Sequence, residues 1–172
     1  QEKDGEDQVK WYDKMHKNHE IQHGDFLKFL KIKDPRTVLE VGCGTGYYPT
    51  KLKELFSEIE YTGTDISETA IEQCKQNSSF EFLAGDFLKL DFSKKFDLVF
   101  SHAVVDHVYD MDSFILKIIN LSKKYSYITA YRGFFPELKK HKINWNNEDG
   151  SYYNDLSIPQ IKKIFNENGI NE

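Results

Sequence analysis

An apolar strand that breaks into three alternating glycines constrains this chain more than any other feature. Thr37-Val38-Leu39-Glu40-Val41 leads into Gly42-Cys43-Gly44-Thr45-Gly46, and Tyr47-Tyr48 opens an amphipathic run over residues 49–56. The pattern predicts a strand, a tight turn and a helix. Glycine is needed where the backbone bends sharply and a ligand comes close, because a Cβ at Gly42 or Gly44 would obstruct the turn, the ligand or both. The turn is therefore a candidate cofactor site. The dinucleotide spacing G-x-G-x-x-G would place its third glycine where Tyr47 stands, and no Gly-Lys-Ser/Thr follows for a nucleoside triphosphate loop.

Further strands end in polar or acidic residues. Glu60-Tyr61-Thr62-Gly63-Thr64-Asp65 predicts a second strand, and Ser67 opens a helix as a capping box ahead of residues 70–76. A carboxylate at Asp65 can accept both hydroxyls of a ribose; the alternative is a simple helix-start residue. Residues 80–87 alternate as a third strand that ends in Gly85-Asp86. Phe96-Asp97-Leu98-Val99-Phe100-Ser101-His102 is nearly continuous in apolar character, as expected of a central parallel strand buried on both faces beside the first strand. Its carboxyl end, residues 101–108, is where open α/β sheets bind ligands, so the chemistry is expected there. Asp112 and Ser113 start another helix through Phe114, Ile115, Ile118 and Ile119, and residues 125–131 read as a fifth strand followed by Arg132-Gly133.

The flanks are less regular. Residues 9–18 read as a helix with Trp11, Tyr12 and Met15 on one face; Gly24 interrupts, and Asp25 caps a second helix through Phe26 and Leu30 that ends before Asp34-Pro35. Residues 134–155 carry Phe134, Phe135, Trp145, Tyr152 and Tyr153 without a clean period and read as a substrate lid. Residues 157–168 close as a helix with Gly169 at C′. The expected organisation is a helical cap over residues 1–36 and a ligand-binding domain over residues 37–172, one structural domain in all for 172 residues. The 23 basic against 28 acidic residues leave a net charge of −5, which argues against a nucleic-acid partner. Cys43 and Cys74 suggest neither a disulfide framework nor a zinc site, and a reducing cytoplasm is expected. No apolar leader core or long apolar run points to secretion or a membrane.

Val38-Leu39-Glu40-Val41-Gly42-Cys43-Gly44-Thr45-Gly46 resembles the first motif of the Rossmann-like, class I S-adenosylmethionine-dependent methyltransferases, and the likeness extends over residues 37–132. It implies an α/β three-layer sandwich with a mainly parallel sheet of order 3-2-1-4-5. The implied cofactor is S-adenosylmethionine and the product S-adenosylhomocysteine. The cofactor residues would be Glu40, Gly42, Gly44, Asp65, Ile66, Asp86, Phe87 and Ser101. Glu40 suits a sulfonium and an ammonium that carry no phosphate. Asp65 would take the ribose and Asp86 the adenine amino group, with Ile66 and Phe87 on the two faces of the ring. The N-terminal helices resemble the family's cap over the cofactor, or else Trp11 and Tyr12 pack on the sheet edge. The family's C-terminal antiparallel hairpin is missing here, so the fifth strand's edge is expected to be continued by further chain, paired in a homodimer or covered by the lid.

A sulfonium already activates its methyl group, so the protein has to align an acceptor and exclude water. A hydroxyl acceptor also needs a base, and His102, Asp106 and His107 lie where one is wanted. Val105-Asp106-His107-Val108 resembles the Leu-Glu-His-Val of many small-molecule methyltransferases, where the histidine's role is catalytic, structural or on the cofactor side. The Pro-Pro-Tyr motif of nucleic-acid amino-methyltransferases and the Pro-Cys of cytosine enzymes are absent, and no carboxylate ends the fourth strand to hold magnesium, so no metal is expected. Arg132 either clamps a substrate carboxylate or phosphate or pairs with a lid acid such as Glu137. Tyr131 can donate to a substrate hydroxyl, while His141, Trp145, Tyr152 and Tyr153 line an acceptor pocket or close the core. The expected function is methyl transfer to a small-molecule oxygen or nitrogen acceptor, oxygen first. A protein or RNA methyltransferase and a catalytically degenerate cofactor-binding module are the alternatives.

Overall fold

A computed structural model of the chain describes residues 20–170; the helix expected over residues 9–18, with Trp11, Tyr12 and Met15, lies outside them. The chain divides into two compact units, with the boundary between Asp86 and Phe87. Counted along the chain, the strands of its five-stranded sheet lie in the order 3-2-1-4-5, the Rossmann-like α/β order expected from the resemblance.

The first unit contains α1 (Glu20–Lys33), β1 (Thr37–Val41), α2 (Tyr47–Leu55), β2 (Glu60–Asp65), α3 (Glu68–Asn77) and β3 (Glu81–Ala84). β1 and β2 are parallel, with Leu39 opposite Thr62 and Val41 opposite Thr64. β3 continues parallel to β2, with Asp65 opposite Ala84. Helical crossovers are what parallel neighbours require. Leu39, Leu52, Ile71 and Phe82 fill the core. Ser67 caps α3 as expected, its side chain accepting from the Ala70 N–H. The expected break at Gly24 does not occur: α1 runs through Gly24 and Asp25, and Asp25 is no cap. A mid-helix glycine costs about 1 kcal/mol, and burial of Phe26 and Leu30 from the same helix outweighs that. α1 ends at Asp34 in a left-handed conformation (φ 43°), immediately before Pro35.

The second unit contains β4 (Phe96–His102), a 3₁₀ turn (Val105–His107), α4 (Met111–Leu121), β5 (Ser122–Thr129), β6 (Phe134–Phe135), β7 (Trp145–Asn146), β8 (Ser151–Tyr152), β9 (Leu156–Ser157) and α5 (Ile158–Glu167). Every residue of β4 up to Ser101 is buried, which accounts for its continuous apolar run. β5 is parallel to it, with His102 opposite Thr129. β5 starts three residues earlier than expected, at Ser122, whose hydroxyl donates to the Ile118 carbonyl (2.8 Å) and closes α4. The N-cap of α4 is Asp110 rather than Asp112, and Met111, Phe114, Ile115 and Ile118 form its buried stripe. Ser157 caps α5. The aperiodic segment 134–155 is built on short ladders: β6 parallel to β9, and β7 antiparallel to β8. Two-residue ladders are too short to leave a sequence period.

Candidate functional site

In the first unit the site is built on the turn after β1. Gly42 (φ 81°), Gly44 (φ 52°) and Gly46 (φ 93°) all take the left-handed conformation that a side chain disfavours. The Gly42 and Cys43 N–H groups both donate to the Thr64 carbonyl, at 2.7 and 2.9 Å, which ties the turn to the end of β2. Asp65 stands at that end. Its Oδ2 accepts from the Gly44 N–H (2.8 Å) and its Oδ1 from the Ser67 N–H (2.9 Å), so the carboxylate is fixed on both oxygens while keeping acceptor capacity. Burial pushes the Asp65 carboxyl up, and these backbone donors oppose the shift. The Gly85 N–H donates to the Asp65 carbonyl (2.9 Å), which brings half-buried Asp86 beside the same strand end. Ile66 is 77% exposed and available to a ligand.

Glu40 is buried and accepts a hydrogen bond from the Tyr61 hydroxyl. Burial pushes its carboxyl well above the ordinary range, and the Tyr61 bond only partly opposes this. An ionised Glu40 beside a sulfonium would have to overcome that desolvation. Buried Cys43 and Cys74 are both free thiols, and Cys74 Sγ donates to the Gly44 carbonyl (3.2 Å). The sequence reading missed His23, which reaches from α1 to hydrogen-bond the Tyr48 hydroxyl and lies 4.6 Å, ring to ring, from Tyr47. The tyrosine that replaces the third glycine of a dinucleotide turn thus serves helix packing.

In the second unit the three candidate bases separate by burial. Asp106 is fully buried: its Oδ2 accepts the Arg132 N–H (2.8 Å), and its Oδ1 has no hydrogen-bond partner among the described residues. His102 is half-buried, with Nδ1 3.0 Å from the Thr129 hydroxyl. His107 alone of the three is exposed. Its Nδ1 lies 2.7 Å from the Tyr152 carbonyl oxygen, which can only accept, so Nδ1 carries the proton and Nε2 is the acceptor of the neutral ring. Rings surround it: Tyr153 at 5.2 Å edge-on and Tyr131 at 6.5 Å. Trp145 packs edge-on against Tyr152 at 4.8 Å, and Trp145 and Tyr131 are each 51% exposed.

Arg132 takes a lid acid, but the acid is Asp155 and not Glu137: Nε and Nη2 both lie 2.9 Å from Asp155 Oδ1. His141 accepts the Ser157 N–H at Nδ1 (2.8 Å) and brings Nε2 within 3.3 Å of Asp112, so it fastens segment 134–155 to the start of α5 and to α4. Burial pushes the His141 ring below its ordinary value, partly offset by Asp112. Phe87 is buried against Phe114 (5.3 Å, edge-on), with Lys117 Nζ 5.1 Å from its centroid on a face. Ser101 is wholly buried in β4. Asn144, Asn154 and Asp155, which organise segment 134–155, carried no sequence signal, because their partners, backbone groups for the two asparagines and the Arg132 and Asn144 side chains for Asp155, are brought together only by the fold. Among the described residues no cluster of three or more His, Cys, Asp or Glu could hold a metal, and no helix is long and apolar enough to cross a membrane.

A family model described as a methyltransferase domain matches residues 32–169. A malonyl-[acyl-carrier protein] O-methyltransferase of Anoxybacillus flavithermus is 33% identical over 75 residues, covering 42% of this chain and 29% of that protein. A pavine N-methyltransferase of Thalictrum flavum subsp. glaucum is 26% identical over 124 residues, covering 69% of this chain and 33% of its own length. The crystal structure of an O-methyltransferase from a trans-AT PKS multienzyme of Brevibacillus brevis, in complex with S-adenosyl-L-homocysteine, superposes with a TM-score of 0.63 at 15% identity, over 77% of this chain and 46% of that one. The match thus spans about half or less of each of these relatives, and the likeness to the solved structure is one of fold. The glycine turn, the strand order and the family match together make this chain a member of the methyltransferase-domain family, of the Rossmann-like S-adenosylmethionine-dependent class.

Proposed function

We propose that the protein transfers the methyl group of S-adenosylmethionine to a small-molecule acceptor, with a hydroxyl as the first choice and an amine as the second. The bound cofactor supplies a methyl group already activated by its sulfonium. Gly42 and Gly44 let the backbone approach it, Asp65 accepts the ribose hydroxyls, Asp86 accepts from the adenine amino group and Ile66 covers the ring. Glu40 supports this set from a buried position in the same unit. The observation that carries the acceptor reading is the exposed His107, whose Nδ1 is engaged by the Tyr152 carbonyl and whose Nε2 is therefore a proton acceptor. Tyr131 and Trp145, both half-exposed, line the acceptor's place, and Arg132 holds the segment that carries Tyr131. The O- and N-methyltransferase names of the relatives support both acceptor types. A reducing cytoplasm is supported by the two free thiols. A homodimer through β5 is supported by that strand's place at the end of the sheet, and a monomeric mass by light scattering would remove it.

The test has two arms. Calorimetric titration with S-adenosylmethionine and S-adenosylhomocysteine is expected to show both bind, and a chain that binds neither contradicts the reading. His107→Ala is then expected to lower kcat for hydroxyl acceptors by about 10²-fold or more with cofactor affinity unchanged. An amine acceptor assayed above its own pKa already offers a free lone pair and would be nearly indifferent to the change, so under that condition the same variant separates oxygen from nitrogen chemistry.

A further inference from the structure

His107 is exposed, so water competes for its ring nitrogens, and its tautomer is fixed only if the Tyr152 carbonyl is held against Nδ1. The ladder of Trp145 with Tyr152 and the Tyr153 N–H bond to the Asn144 carbonyl (2.8 Å) shape the segment, and Asn154 is the residue that ties it to the turn carrying His107. The Asn154 N–H donates to the Asp106 carbonyl (2.8 Å), and Asn154 Nδ2 donates to the Val108 carbonyl (2.7 Å). Both neighbours of His107 are thereby bound by a residue two positions after Tyr152. Asn154 Oδ1 accepts the Asn144 N–H (3.0 Å), and Asn144 Nδ2 donates in turn to the Tyr153 carbonyl and to Asp155 Oδ2. Asn154 is fully buried, with its amide satisfied on the donor and the acceptor side. Only an amide fits. A carboxylate of the same shape would set an oxygen against the Val108 carbonyl, and an alanine would leave that carbonyl and the Asn144 N–H without partners.

We propose that Asn154 is a positioning residue that fixes His107 in its Nδ1–H form by clamping the lid strand across the 3₁₀ turn. The catalytic part of this inference rests on the reading of His107 as the base; the tautomeric part does not. An imidazole with no fixed partner exchanges between two neutral forms, and in one of them Nε2 carries the proton and cannot act as a base.

Imidazole ¹⁵N resonances recorded at alkaline pH decide the matter in the free protein, assigned by their loss in His107→Ala. The expected wild-type pattern is a protonated Nδ1 and a bare Nε2. Asn154→Asp is expected to shift the ring toward the Nε2–H form and to lower kcat for a hydroxyl acceptor by about tenfold or more, with cofactor affinity unchanged. Asn154→Ala, which keeps the backbone N–H, carries the same comparison should the aspartate variant fail to fold. A wild-type ring in the Nε2–H form overturns the proposal, as does an Asn154 variant that retains Nδ1–H. A shifted tautomer with unchanged kcat supports the clamp and instead removes His107 as the base, so the two failures are told apart.

Discussion

At the scale of single residues, desolvation decides more than residue type. Glu40 stands one position before the end of β1 and Asp65 at the end of β2, yet Glu40 is buried against Tyr61 while Asp65 is fixed by backbone N–H groups at a half-buried strand end. The Glu40 carboxyl is pushed up by burial, so the folded state favours its neutral form, whereas the unfolded chain ionises it near 4.5. The stability this contributes is fully present below that value and is lost as pH rises toward the folded-state value. Glu40→Gln keeps an acceptor for the Tyr61 hydroxyl and removes the titration. The variant is expected to gain stability relative to wild type as pH rises from about 5 to 8 in urea unfolding. Parallel curves for the two proteins would mean that Glu40 is not held neutral. The acid itself was legible in the sequence; its protonation was not, because that follows from burial within the folded unit, which the hydrogen bond from Tyr61 on β2 only partly opposes.

At the scale of elements, a local rule held at the start of α3 and failed where packing overrides propensity. Ser67 caps its helix as the sequence indicates, since capping needs only residues three positions away. Gly24 reads as a break but lies inside α1, because buried Phe26 and Leu30 stabilise the helix on both sides of any local preference. Gly63 shows the converse, a glycine whose reason is tertiary. A Cβ there would lie 2.9 Å from Phe82 Cδ1, 2.9 Å from the Tyr61 hydroxyl oxygen and 3.0 Å from Cys43 Sγ. Gly63→Ala is therefore expected to destabilise the protein by about 1–3 kcal/mol, measured by denaturant unfolding. An unchanged midpoint would show that β2 can yield without loss. The short ladders of segment 134–155, β6 with β9 and β7 with β8, escaped the sequence because two residues a side leave no period to read.

At the scale of the whole molecule, cofactor binding and stability are linked. A ligand that binds only the folded state at a hundred times its Kd adds about 2.7 kcal/mol, so S-adenosylmethionine is expected to raise the Tm by several degrees in a concentration-dependent way. Asp65→Ala removes the proposed ribose acceptor and is expected to abolish both the shift and the calorimetric signal. A Tm in this variant that still rises with the cofactor would contradict the role of Asp65. The sequence by itself determined the α/β class and the strand-end acids, because apolar period, glycine dihedral freedom and helix capping act over a few residues, whereas the strand order came only through the resemblance to the methyltransferase class. Only the tertiary structure decided that His107 is the exposed base candidate while Asp106 is buried, that Arg132 is taken by Asp155, and that Glu40 is held toward its neutral form. Those outcomes depend on burial and on hydrogen bonds between residues far apart in the chain, and neither is encoded in local spacing.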